Sequence, residues 1–180
     1  LNDNGQNIEQ ELLAKLHNSL IAQKVTIATA ESCTSGLLGA SLTNLSGSSQ
    51  FYIGGVNTYS DDSKTKLLMV PKTTIEEFGA VSSQVADLMA TNICRILNAD
   101  IGVGITGVAG PTGGTAAKPV GHVWLGIFNK KSGIRLSLLD FGALANKLEG
   151  NSLRNAVRIA TINETIRHLM LELDSNLSHS

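Results

Sequence analysis

The stretch "VTIATAESCTSGLLGASL", residues 25–42, runs from β-branched and small apolar residues into an acid, hydroxyls and a thiol. Residues 25–30, "VTIATA", have the composition and length of a short buried strand. Residues 33–45, "CTSGLLGASLTNL", read as a helix whose Gly36, Gly39 and Ala40 allow close packing on a sheet, at some cost in helix propensity. Glu31, Ser32, Cys33 and Thr34 therefore fall where a strand passes into a helix. Two chemistries fit that position. Ser and Thr are common helix caps, because their oxygens accept N–H bonds that the first turn leaves unpaired. The same N–H groups favour negative charge, so the spot also suits a nucleophile or an anion. The stretch by itself leaves both open.

Working outward, Ile8, Leu12, Leu13, Leu16 and Leu20 recur at helical spacing and predict an amphipathic helix over residues 6–23. Residues 51–60, "FYIGGVNTYS", predict a second strand, with Gly54-Gly55 marking a bulge or a close backbone approach. A helix is expected from Asp61 to Leu68, capped by Ser60 and stopped by Pro71. A longer amphipathic helix spans Ser82 to Asn98. "ADIGVGITG" is a third strand entering a glycine-rich loop. Residues 120–128 and 133–141 form two strands joined by "NKKS", and a last helix covers 152–173. Helical crossovers between the early strands require parallel pairing, and the late hairpin requires an antiparallel strand. The fold class expected is a three-layer α/β/α sandwich on a mixed, mostly parallel sheet of about five strands, as one domain over residues 1–180 with its core in 6–172.

Composition narrows the function. The chain has 180 residues, 42% hydrophobic and 16% charged, which suits a globular domain. A net charge of −1 gives no strong nucleic-acid signal. No apolar run is long enough for a transmembrane helix. The polar opening "LNDNGQNIEQ" lacks the order of a signal peptide, and a chain that starts on Leu1 is expected to have residues upstream. Cys33 and Cys94 are too few for a disulfide framework, and Cys94 reads as a small core residue. His17, His122, His168 and His179 are scattered, so no metal site is expected. The expectation is a cytoplasmic protein without metal or cofactor.

Three segments carry polar groups near predicted strand ends, where open α/β sheets bind ligands. They are Glu31–Thr34, "TYSDDSK" at 58–64, and "GITGVAGPTGGTAAKPVG" at 104–121. A glycine-rich loop can aim several N–H groups at one anion. This one matches neither the Walker nor the dinucleotide fingerprint. Separately, Lys64 could be a solvated helix lysine and Tyr59 a strand-end tyrosine. Together, a serine, a lysine, a phenol and an N–H-rich loop could supply nucleophile, base, ring support and anion binding.

"AESCTSG", "GGVNTYSDDSK", "FGAVSSQVA" and "GITGVAGPTGGTAAKPVGHVWLGI" closely resemble the C-terminal domain of the CinA (competence/damage-inducible protein A) family. The resemblance covers nearly all of residues 6–172. It implies an amidohydrolase that converts nicotinamide mononucleotide and water to nicotinate mononucleotide and ammonia, recycling pyridine nucleotides without a metal. It also implies a homo-oligomer. Longer members carry an N-terminal molybdopterin-binding-like domain.

By the same resemblance Ser32 stands at the nucleophile, and Tyr59 and Lys64 at the active-site tyrosine and lysine. A family arginine at the start of the last helix is matched by Arg154, with Arg158 as the other choice. Amide hydrolysis needs a nucleophile, a proton acceptor and donors for the developing oxyanion. Ser32 would attack with neutral Lys64 as base, and the N–H groups of Cys33 and Thr34 would face the oxyanion. Tyr59 would lie against the pyridinium ring. Gly110, Gly113, Gly114 and Thr115, with Arg154, are the expected phosphate contacts. The alternative is a noncatalytic nucleotide- or partner-binding domain on the same scaffold. Two departures from the family pattern bear on that choice: Ser35 replaces a second glycine, and Asp61 replaces an asparagine. A carboxylate three residues before Lys64 would favour the charged amine.

Overall fold

The computed structural model describes residues 7–177. Five strands form one open sheet: β1 (Ile27–Glu31), β2 (Tyr52–Asn57), β3 (Ile101–Gly107), β4 (His122–Asn129) and β5 (Gly133–Asp140). Their order is β2-β1-β3-β4-β5. β1 pairs parallel with β2 and β3, whereas β3–β4 and β4–β5 are antiparallel. Only β4 therefore runs against the other four. All five residues of β1 are buried, as are the first six of β3, which fits their near-continuous apolar and small composition.

Helices cover both faces. α1 (Gln10–Gln23), α2 (Leu37–Leu42) and α6 (Gly150–Leu177) close one side, around Leu16, Leu20, Leu38, Val103, Leu125 and Ile166. α3 (Asp61–Leu68), α4 (Lys72–Phe78) and α5 (Ser83–Ile96) close the other, around Ala28, Ala30, Leu68, Met89 and Ile93. The expected three-layer fold is present. The helix expected over 6–23 begins at Gln10; Gln6 lies outside the described residues, as does His179. α3 has the expected limits, and the Ser60 hydroxyl accepts from Ser63 N at 3.2 Å.

Two elements differ from expectation. The helix read from residue 33 starts only at Leu37, because Ser35 (φ 50°) and Gly36 (φ 86°) are both left-handed and a right-handed helix cannot run through them. Pro71, read only as a stop, also caps α4: its carbonyl accepts from the N–H groups of Thr74 at 3.0 Å and Ile75 at 3.3 Å.

α5 lies unusually close to the sheet because glycines face it. A Cβ on Gly104 would sit 2.5 Å from Ala86 O and 2.6 Å from Ala90 N, and one on Gly126 2.6 Å from Ala86 O. The obstructing atoms are backbone and cannot swing away. Gly104→Ala is therefore expected to lower stability in urea unfolding by about 2–3 kcal/mol; an unchanged midpoint would mean that α5 does not rest on this strand.

Candidate active site

β1, β2 and β3 run parallel, so their C-terminal ends share one rim of the sheet. The chain leaves β1 for β2 on one side and returns to β3 on the other. That reversal makes the end of β1 the crevice in which open α/β sheets bind ligands. Hydrogen bonds from Ser32 N to Ile105 O (3.0 Å) and from Thr58 N to Glu31 O (2.8 Å) carry both ladders one step past β1. They fix the starting direction of the two loops that matter most.

The turn between β1 and α2 is shaped by Glu31. Its buried carboxylate turns back to accept from the N–H groups of Gly36 and Leu38, each at 3.1 Å, and of Gly39 at 2.9 Å. Glu31, rather than a Ser or Thr hydroxyl, thus satisfies the start of α2, and the capping expectation for residues 32–35 is corrected. A carboxylate held there also fills the place where the helix end would attract an external anion. The N–H groups of Cys33 and Thr34 lie earlier, in the turn itself, and no carbonyl among the described residues accepts from them. Ser35, at its left-handed φ, donates its hydroxyl to Ser32 O at 3.2 Å. The replaced glycine therefore sits where glycine is the unstrained residue, and the serine returns one hydrogen bond.

Lys64 projects from the second turn of α3 into this crevice and is 1% exposed. Its Nζ donates to Thr58 O at 2.9 Å and lies 3.3 Å from Ser32 Oγ. Burial pushes the amine below its ordinary pKa of 10.5, against the opposing pull of the Asp61 carboxylate. Asp61 is exposed to water, which screens its influence, so desolvation decides the direction. Next to the serine, the Cys33 thiol is pushed up to about 12, mainly by burial. It stays a neutral thiol and is no competing nucleophile.

Ser32, Cys33, Tyr59, Asp61, Lys64 and Arg154 all line one cleft of about 270 Å³. A larger depression of about 670 Å³, bordered by Ile8, Glu9, Leu37 and Ile159, lies apart from these groups. Tyr59 is 63% exposed at the mouth of the cleft. Arg154, near the start of α6, donates to Tyr59 OH at 2.9 Å and to Gly110 O at 2.7 Å, joining the β2 loop to the glycine-rich loop. Gly110 and Gly113 line the cleft.

Some expected site residues lie elsewhere. Thr34 is fully buried, and its carbonyl accepts from Arg158 at 2.8 Å, so Arg158 supports the turn from behind. Gly114 packs on the Val120 backbone, and Thr115 closes a turn with Lys118; neither lines the cleft. Sequence reading missed Thr106 and Thr112, which do. Thr106 is a hydroxyl at the last but one position of an otherwise apolar and glycine strand, and that contrast was the available signal. Its hydroxyl donates to Ala80 O at 2.8 Å. The described residues contain no cluster of metal-ligating side chains.

A small-molecule cleft at the rim of an open α/β sheet, built around a buried amine beside a serine, defines the class of site. The particular family follows from comparison: residues 9–172 match the family model described as the CinA C-terminal domain, and the chain belongs to that family. A CinA-like protein of Leptospira biflexa is 41% identical over 150 residues, and a putative competence-damage inducible protein of Clostridioides difficile 39% over 171. These alignments cover 83% and 94% of this chain but only 36% and 38% of the relatives, so the chain spans little more than a third of their length. Among solved structures, the competence/damage inducible protein CihA from Agrobacterium tumefaciens superposes with a TM-score of 0.81 at 33% identity. That match covers 91% of this chain and 94% of the other. The competence damage-inducible protein A (ComA) from Klebsiella pneumoniae gives 0.78 at 30%, over 96% and 99%.

The thiols offer a check on this geometry. Both cysteines are buried, Cys33 4% exposed and Cys94 0%, and burial raises both pKa values. Alkylation followed by mass spectrometry should leave both unmodified in the folded chain at neutral pH and label both after denaturation. Rapid native labelling of Cys33 would mean that the turn is open or the thiol ionised.

Proposed function

We propose that the chain is an amidohydrolase that deamidates nicotinamide mononucleotide, with Ser32 as nucleophile and Lys64 as base. The observation that carries this reading is the buried Lys64 amine, its pKa lowered by desolvation, at 3.3 Å from the Ser32 hydroxyl. An amine is a useful base only when uncharged, and a serine needs such a partner to become nucleophilic. Thr58 O accepts one amine proton and so orients the nitrogen toward Ser32.

In the proposed reaction Ser32 Oγ attacks the carboxamide carbon as its proton passes to Lys64 Nζ. The carbonyl oxygen becomes negative beside the backbone N–H of Cys33, the residue of the turn that lines the cleft with Ser32. Lys64 then returns the proton to the amide nitrogen, the C–N bond breaks and ammonia leaves. Water, deprotonated by Lys64, attacks the resulting ester; the C–Oγ bond breaks and Ser32 regains its proton. The sum is amide plus water to carboxylic acid plus ammonia. Tyr59 offers an aromatic face to the cationic ring. Arg154 retains N–H donors beyond the two already engaged, and with Gly110 and Gly113 these suit the 5′-phosphate. The likeness to proteins named for competence and damage says nothing of this substrate.

The test is ammonia release from the mononucleotide. Wild type should turn over, and Ser32→Ala and Lys64→Met should each lose about a thousandfold or more. Because only the neutral amine acts, kcat/KM should rise with pH through the free-enzyme pKa of Lys64 and reach its plateau below the ordinary lysine value. The riboside, which lacks the phosphate, should be hydrolysed with much lower kcat/KM. Ligand-induced thermal stabilisation without any turnover would favour a noncatalytic binding domain, and full activity in both variants would remove the dyad.

A further inference from the structure

Two neighbouring acids open α3, and the structure separates them. Asp62 extends into solvent and pairs with Lys66 one turn on, at 2.7 Å, with both side chains 71% exposed. Asp61 precedes Lys64 by three residues and so shares that lysine's helix face. Accordingly it lines the cleft together with Ser32, Tyr59, Lys64 and Arg154. Its charge reaches Lys64, where it opposes loss of the amine's proton. Among the described residues the Asp61 carboxylate accepts no hydrogen bond and forms no ion pair. A negative charge in the first turn of a helix is favourable in itself, yet Asp62 supplies one without entering the cleft.

The other groups around the cleft give this charge a use. Asp61 is the one carboxylate among the lining residues, and Tyr59 is the one aromatic ring. They stand two residues apart on the segment that carries β2 into α3, both exposed at the mouth. An unpaired carboxylate and an aromatic face each attract a cation. Arg154, anchored on Gly110 O and Tyr59 OH, brings positive charge from α6 to the glycine-rich loop. A ligand that suits the whole cleft therefore carries a positive ring and a separate anionic group.

We infer that Asp61 selects amides borne on a positively charged ring, by setting its carboxylate against that charge while Ser32 reaches the carboxamide. The inference rests on the amidohydrolase reading and deepens it: the substrate class becomes cationic pyridinium amides rather than aromatic amides in general. The asparagine of the family pattern has the same shape and no charge, and would leave recognition of the cation to Tyr59. Because Asp61 is open to water, its effect on affinity is severalfold rather than absolute.

Calorimetric titration with nicotinamide mononucleotide and with its reduced dihydropyridine form tests this. The two ligands share carboxamide, ribose and phosphate and differ in ring charge. Lys64→Met is the background, since it stops turnover and removes the amine whose protonation Asp61 also affects. In that background the mononucleotide should bind more tightly than the reduced form. Adding Asp61→Asn should weaken the mononucleotide about three- to tenfold and leave the reduced form within about twofold. Adding Asp62→Asn instead, an equal loss of charge outside the cleft, should change neither. In about 0.5 M salt the effect of Asp61→Asn should shrink toward none. A mononucleotide affinity unchanged by Asp61→Asn, or an equal loss for both ligands, overturns the inference and leaves the amidohydrolase reading standing. A loss of the same size from Asp62→Asn would assign the effect to overall charge and overturns it too. Failure of the mononucleotide to bind any of these proteins removes the amidohydrolase reading, and this inference with it.

Discussion

An amine buried to 1% exposure can keep its charge only at a large cost in lost hydration. Lys64 meets that constraint with one carbonyl, Thr58 O, and one hydroxyl, Ser32 Oγ, rather than with a carboxylate. The exposed Asp61 opposes the loss of charge and is outweighed by desolvation. Much of the surrounding structure serves to hold these atoms in place. The parallel triplet β2-β1-β3 brings three loops to one rim, and the backbone bonds on either side of Glu31 set the paths of two of them.

Glu31 has a central part in that geometry. As the last residue of β1 its backbone belongs to the sheet, while its carboxylate gathers three N–H groups from Gly36, Leu38 and Gly39. This contact folds the intervening turn tightly enough to require left-handed residues at 35 and 36. It presents Ser32 and Cys33 to the cleft and keeps Thr34 buried. The chain's own carboxylate satisfies the start of α2 and so closes that helix end to an external anion.

Most of the architecture was legible because it rests on periodicity. The apolar alternation and helical spacing gave the five strands, and α1, α3, α5 and α6 to within a few residues. What escaped was governed by long-range contacts. Cap chemistry in Ser32–Ser35 looked like a helix start, since nothing local announces that a carboxylate from the preceding strand will take the amides instead. α4 is only seven residues long, with two threonines and little apolar pattern, so Pro71 looked like a terminator alone. At the site, Ser32, Tyr59, Lys64 and Arg154 were named from motifs, and the structure brings them to one cleft. Thr115 and Gly114 were chosen for composition; turn geometry carries them away from it.

The claim on which the chemistry rests is that Lys64 is uncharged when it meets Ser32. Carbon-13 NMR of the lysine side chains, with the Lys64 signal assigned by its loss in Lys64→Met, measures this directly as pH is varied. Burial requires that Lys64 titrate below 10.5 and lose its proton before the exposed lysines do. A Lys64 signal that titrates at or above the exposed lysines would mean that the amine is a buried cation, and its role as base would be contradicted.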